Sequence, residues 1–196
     1  LSYELSSKRV AKELGIELLD VPEFGCCGYP VKSVHHETAL LLAARNLALA
    51  EERGLDICTL CSACTSVLTE VSRELARDEA LLSKVNKSLG MIGRKYQGKV
   101  RVKHFVRVLY EDVGLEAIEK AVKRPLDMFR IASHYGCHYL KPSEIYDRFD
   151  HPEVPQSLDR LVAATGAVAV DYPSKKECCG GAILGVDENI ALEMAR

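Results

Sequence analysis

Tryptophan is absent from the 196 residues, and methionine occurs only three times. No apolar run approaches the roughly 20 residues that a membrane-spanning helix needs, and no secretory signal precedes the first helical pattern. A surplus of either charge is missing too. With 26 Lys and Arg against 28 Asp and Glu, the formal net charge is −2, which excludes global attraction to nucleic acid. The richest basic segment, Arg94, Lys95, Lys99, Arg101 and Lys103, reads as a solvated strand edge and its turn. Cysteine is too sparse for a disulfide scaffold: there are eight, far below the roughly 8–10% of such chains. Without a secretory signal the expected setting is reducing and cytoplasmic, where clustered cysteines do metal or redox work. Both ends read as cut. Leu1 already lies in a helical pattern, and "NIALEMAR" reaches Arg196 without a cap.

What is present is a repeat. When the chain is slid along itself by 151 to 152 residues, three features align in order. "SKRVAKELG" (7–15) meets "LDRLVAATG" (158–166), each an amphipathic helix closed by glycine, the favoured residue past a helix C-terminus. "IELLDVP" (16–22) meets "AVAVDYP" (167–173), each a short apolar strand ending in Asp-x-Pro. The pair and its following helix, 26–45, meet 178–196, with Ala39 on Ala191.

Between the copies, helices and strands alternate. Helices are expected over 36–53, over 65–90 as one or two pieces, and over 106–123 with a break at Gly114. Strands are expected at "DICTLC" (56–61), "KVRVKHF" (99–105) and "FRIASHYGCH" (129–138). This alternation predicts an α/β fold with largely parallel sheets, and the duplication predicts two pseudo-symmetric lobes. The lobes are drawn at 1–125 and 126–196. In such sheets ligands sit at the carboxyl ends of strands. The cysteine motifs are placed there.

Cys26 and Cys27 are neighbours, as are Cys178 and Cys179. Adjacent cysteines do not readily join in a disulfide, because the ring strains the peptide between them, and both cannot comfortably chelate one tetrahedral zinc. In "CTLCSAC", Cys58, Cys61 and Cys64 form two overlapping C-x-x-C pairs. A lone cysteine in an apolar strand ordinarily behaves as a small hydrophobe, and that is the reading for Cys58. Three chemistries compete for the rest. Structural zinc prefers two separated C-x-x-C knuckles. A redox dithiol leaves Cys26 and Cys27 without a task. An iron–sulfur cluster spreads several irons over a few ångströms, so neighbouring thiolates reach different irons. Gly28 and Gly180 suit a cluster, since glycine brings backbone close and offers its N–H to sulfur, but they also suit a plain turn.

A leading cysteine, then Cys-Cys-Gly, then C-x-x-C, present twice, resembles the CCG-domain proteins and, within them, the B-type subunit of heterodisulfide reductase. "ALLLAARNLALAEERGLDI", "KVNK", "VRVKHFVRVLYEDVGLE" and "ASHYGCHYLKPSE" carry the likeness beyond the cysteines, over essentially the whole chain. The resemblance implies two non-cubane [4Fe-4S] clusters. Cys26, Cys27, Cys61 and Cys64 would belong to the first, and Cys137, Cys178 and Cys179 to the second, with Gly28 and Gly180 against them. By the repeat, the first motif's leading cysteine is expected before Leu1 and the second motif's C-x-x-C after Arg196, so each lobe is read as truncated.

The resemblance further implies reduction of the coenzyme M–coenzyme B disulfide, or a related disulfide, in the cytoplasm, with no membrane span. Two clusters facing across a cavity would each take one sulfur. Electrons would come from an iron–sulfur subunit and a flavoprotein subunit. Other oxidoreductases share the domain, among them thiol-linked fumarate reductase and 2-hydroxyacid oxidase types, and a zinc-stabilised scaffold is the rival without redox work. His138, next to Cys137, is the candidate proton donor, because histidine titrates near neutrality. His35, His36 and His104 read as surface or capping residues. Lys141 is a candidate cation for an anionic substrate.

Overall fold

A computed structural model describes residues 2–196. The chain divides into two compact units at Val113–Gly114. The first begins with helix α1 (Ser2–Glu13), followed by an extended stretch and the helix α2 (His36–Glu52). Strand β1 (Ile57–Thr59), helices α3 (Ser62–Arg77) and α4 (Glu79–Gly90), and strand β2 (Val102–His104) come next. One turn, α5 (Phe105–Arg107), runs into a π-helical stretch, Val108–Val113. β1 and β2 pair in parallel, Ile57 opposite Val102 and Thr59 opposite His104.

Alanine makes α2 a core helix. Ala43, Ala44, Leu47 and Ala48 are fully buried, and small side chains let α3 and α4 pack close against it. Leu75, Val85, Leu89 and Tyr96 complete that cluster. Asp78 separates α3 from α4: its Oδ1 accepts the Leu81 N–H at 2.9 Å and caps the second helix.

The second unit contains α6 (Leu115–Ala121), β3 (Arg130–Ile131), α7 (Cys137–Leu140), α8 (Ser157–Ala164), β4 (Val168–Ala169) and α9 (Glu188–Met194). α6 packs on α8, and β3 pairs with β4 in parallel. The fold is α/β, with short parallel strands among more helix than the sequence suggests.

Two strands differ from expectation. "IELLDVP" is extended but joins no ladder, whereas its repeat partner becomes β4. The reason is the neighbour. In the second unit the Val168 and Val170 N–H groups donate to Phe129 and Ile131 carbonyls, while among the described residues no strand pairs with 16–21. That stretch instead walls a cavity of about 570 Å³, shared with Ile57, Cys58, Leu60 and Lys103. In "FRIASHYGCH" only Arg130–Ile131 pairs, so Cys137 opens a short helix instead of ending a strand. The basic segment is ion-paired: Arg94 to Glu52, Arg101 to Asp56 at 2.6 Å, and Lys103 to Asp112 at 2.6 Å.

Candidate metal centre

The adjacent cysteines of the first unit lie in a loop fastened to α2 at two places. Gly28, buried with φ of 92°, is pressed on the helix backbone. A Cβ there would come within 2.7 Å of the Ala39 Cα and 2.8 Å of its carbonyl oxygen. About two turns along the same face, Asn46 takes the start of the loop. Its Oδ1 accepts the Gly25 N–H at 3.1 Å, and its Nδ2 donates to the Gly25 and Cys26 carbonyls at 3.0 and 3.3 Å. Arg45 Nη1 donates to the Glu23 carbonyl at 2.9 Å. The Gly28 N–H points at Cys26 Sγ, 3.4 Å away.

Cys61 and Cys64 arrive from the other side. Cys61 stands two residues past β1 as the N-cap of α3, and Cys64 lies in that helix's first turn. Their loop is braced from below. Thr65 Oγ1 donates to the Cys61 carbonyl at 3.0 Å and meets Thr59 Oγ1 at 2.5 Å. His104, at the end of β2, accepts the Val106 N–H through Nδ1 at 3.2 Å, and its ring also bonds the Leu60 carbonyl. Burial lowers its pKa to about 4, so it stays neutral. His104 therefore caps as expected, but from inside the core, not from the surface.

These two stretches meet through sulfur. The Cys64 thiol donates to Cys27, and this bond, with N–H groups of Tyr29 and of Cys27 itself and the Cys26 thiol, holds Cys27 down at about 6. Cys64, the donor, is pushed up by that same bond, by burial and by the neighbouring sulfurs of Cys27 and Cys61. Cys27 is the buried member at 5% exposure, and Cys26 and Cys61 are exposed. Tyr3 of α1 feels the same place: burial, then negative charge at Cys58 and Cys61, raises its phenol.

Cys58 stands apart. It is exposed on β1, with its neighbours Ile57 and Thr59 turned to the core, so it is not the buried hydrophobe that the apolar strand suggested. Alternation along a strand puts every second residue outward. It lines the cavity beside residues 16–21, whose walls desolvate its thiol and push it up to about 11.

In the second unit, Cys137, Cys178 and Cys179 are all exposed, and among the described residues no hydrogen bond joins Cys137 to the pair. The glycine contact recurs. Gly180, buried with φ of 74°, would place a Cβ 2.5 Å from the Ala191 carbonyl oxygen and 2.9 Å from its Cα. The residues aligned by the repeat, Ala39 and Ala191, are thus the ones that the two glycines touch. His138 is half-buried, with its carbonyl accepting from Tyr146 Oη at 2.6 Å. Lys141 is paired with Glu153 at 2.8 Å, both side chains more than half exposed, and Glu153 also pairs with Lys176. His35 is the cap of α2, its Nδ1 accepting the Thr38 N–H at 3.2 Å.

Among the described residues, no three His, Cys, Asp or Glu side chains are grouped to hold a single metal ion. The first unit's donors nevertheless fit an iron–sulfur group by their chemistry. They are soft thiols linked by hydrogen bonds, with the pKa of Cys27 lowered and N–H groups facing sulfur. The second unit's cysteines are in sequence order for the same role, and the Tyr135 N–H donating to the Lys175 carbonyl at 2.6 Å ties their two stretches together.

The cysteine-rich domain family CCG matches residues 2–69 and 131–196. The chain is 38% identical over 197 positions to a heterodisulfide reductase B-subunit-like protein of Archaeoglobus profundus, covering 98% of this chain and 66% of that protein. It is 38% identical over 179 positions to the B-type subunit of the ferredoxin/F(420)H(2)-dependent CoB-CoM heterodisulfide reductase of Methanosarcina acetivorans, covering 90% and 59%. It is 34% identical over 190 positions to the 8-methylmenaquinol:fumarate reductase membrane anchor subunit of Wolinella succinogenes, covering 96% and 65%. The chain therefore spans about three fifths to two thirds of these relatives. A crystal structure of a hypothetical protein from Helicobacter pylori shares the fold, with a TM-score of 0.72 at 18% identity, over 97% of this chain and 34% of that one. No helix among the described residues is long and apolar enough to cross a membrane.

Proposed function

Because the chain belongs to the cysteine-rich CCG domain family, we propose that it is the catalytic part of a heterodisulfide reductase, acting on the coenzyme M–coenzyme B disulfide or a related disulfide. The observation that carries this reading is the thiol–thiol hydrogen bond from Cys64 to Cys27, which joins the stretch of Cys26 and Cys27 to that of Cys61 and Cys64. Relatives named as B-type subunits of heterodisulfide reductase support it.

Each unit would hold one non-cubane [4Fe-4S] cluster: Cys26, Cys27, Cys61 and Cys64 in the first, Cys137, Cys178 and Cys179 in the second. When bound, the clusters supply single electrons to sulfur, two being needed to open one disulfide. The chain's own contribution is to hold thiolates and direct dipoles. Gly28 turns its N–H to the Cys26 sulfur, and Gly180 is assigned the same task at Cys178. Turning a disulfide into two thiols also takes two protons. His138, adjacent to Cys137, is assigned to deliver one of them. An iron–sulfur subunit and a flavoprotein subunit would supply the electrons, and the complex is placed in the cytoplasm.

The Wolinella relative favours a second reading, in which the same cysteine-rich part serves an oxidoreductase with another acceptor, fumarate. The deciding measurement is iron and acid-labile sulfide per chain, on full-length protein purified without oxygen. About eight irons with matching sulfide establish two four-iron clusters. About four leave one unit empty and end the paired-cluster mechanism. Zinc without sulfide ends the redox reading. With iron loaded, disulfide-dependent against fumarate-dependent oxidation of a reduced dye separates the two acceptors.

A further inference from the structure

We propose that Asn46 is the positioning residue of the adjacent-cysteine loop: it draws the loop's carbonyls onto helix α2 so that the remaining N–H groups face the thiols. The proposal rests on reading Cys26 and Cys27 as soft-metal ligands, and it adds the residue that sets their geometry.

Asn46 is only 4% exposed and lies on a helix face otherwise made of Ala43, Leu47 and Ala50. A primary amide has one acceptor oxygen and two donor hydrogens. Here the oxygen takes the Gly25 N–H, and the nitrogen serves both the Gly25 and Cys26 carbonyls. The side chain's strongest hydrogen bonds thus go to the loop, and its oxygen also accepts from Arg45 Nη1 at 3.5 Å. In a planar trans peptide the carbonyl of one residue and the N–H of the next point in opposite directions, so the Gly25 and Cys26 carbonyls turned to the helix send the Cys26 and Cys27 N–H groups away from it. Gly28 N–H reaches Cys26 Sγ at 3.4 Å, and the N–H groups of Tyr29 and Cys27 reach Cys27 Sγ. Successive N–H groups of this kind form a concavity that favours negative charge. Carbonyls turned toward the sulfurs would repel it.

The spacing fits. Ala39 and Asn46 are about 10 Å apart along the helix, from a rise of 1.5 Å per residue. The loop from Gly25 to Gly28 spans about 10 Å when extended. It lies along α2 with Gly28 on Ala39 at one end and Gly25 on Asn46 at the other.

Neither aspartate nor leucine fills this role. Aspartate keeps the acceptor for Gly25 N–H but sets a carboxylate oxygen against two carbonyl oxygens. Leucine leaves three backbone groups without partners.

The test uses cadmium, which binds thiolates with a charge-transfer absorption, on the reduced, metal-free chain with Cys178 and Cys179 changed to serine. Partners that orient metal ligands typically contribute 10–100-fold in affinity. Asn46→Asp is expected to weaken cadmium binding by roughly that factor, with Asn46→Gln recovering part of it. A folded Asn46→Asp that binds cadmium within about threefold of its parent overturns the proposal. Should Asn46→Asp fail to fold, the unaltered loop decides: scalar coupling between NMR-active cadmium and the Cys27 amide proton, the one opposite the Cys26 carbonyl that Asn46 holds, is expected, and its absence overturns the proposal. Iron and sulfide loading tests the cluster reading separately. A chain that refuses iron but still loses cadmium affinity with Asn46→Asp keeps this inference and loses that one.

Discussion

Cys27 and Cys64 share one hydrogen bond and respond to it in opposite directions, which gives the metal-free protein a pH dependence. Folded Cys27 ionises at about 6, below the roughly 8.5 of a free thiol. Its contribution to stability is therefore present above the ordinary thiol value and is lost as pH falls through about 6. Urea unfolding under reducing conditions is expected to show stability rising from pH 6 to about 8.5, a rise that Cys27→Ala removes. Cys64 opposes it only at higher pH, where unfolded Cys64 loses its proton and folded Cys64 keeps it. Cys64→Ala should also move the alkylation midpoint of Cys27 back toward that of an ordinary thiol. Cys58 supplies the contrast: Cys58→Ser is expected to leave iron loading unchanged, whereas Cys61→Ser reduces it. Position separated Cys61 and Cys64 from Cys58: all three share C-x-x-C spacing, but Cys58 lies inside the apolar "DICTL" and the other two at its junction with the next helix. It did not show Cys58 on an outer strand face, since "DICTL" gives no alternation of polar and apolar residues to read. Asn46 was legible and passed over. An asparagine inside "ALLLAARNLALA" has to find partners if the helix is buried.

At the level of elements, helices were easier to read than strands. α2, α3 and α4 announce themselves through alanine and leucine periodicity and through caps such as Asp78, which depend on neighbouring residues alone. Asp78→Ala is expected to destabilise the first unit by about 1 kcal/mol in chemical denaturation. A strand exists only beside another strand. That is why "IELLDVP" stays unpaired while its repeat partner becomes β4, and composition could not have told the two apart. The glycines after each cysteine pair make a sharper case. Each has a positive φ and no room for a Cβ. Gly28→Ala and Gly180→Ala are each expected to cost roughly 2–4 kcal/mol, combining the left-handed backbone penalty with overpacking. Trimming Ala39 or Ala191 to glycine should not rescue them, because the obstruction is helix backbone.

For the molecule as a whole, the duplication found by sliding the sequence on itself reappears as geometry: Gly28 on Ala39 and Gly180 on Ala191. The ligand groups of the two units come from separate parts of the chain. Replacing Cys26 and Cys27 together should remove about half of the iron and leave the share of Cys178 and Cys179, read by iron analysis. The cysteine pairs were legible because adjacent thiols have few other uses. The bracing by Thr59, Thr65 and His104 was not, because it depends on long-range packing that spacing does not encode. The glycine contacts have a consequence for anyone transplanting this loop into another scaffold. Copying "CCG" alone would move the thiols without their foundation. The graft has to carry a helix at the same height and rotation, presenting bare backbone where the glycine lands, so the smallest portable piece is the loop and its helix together.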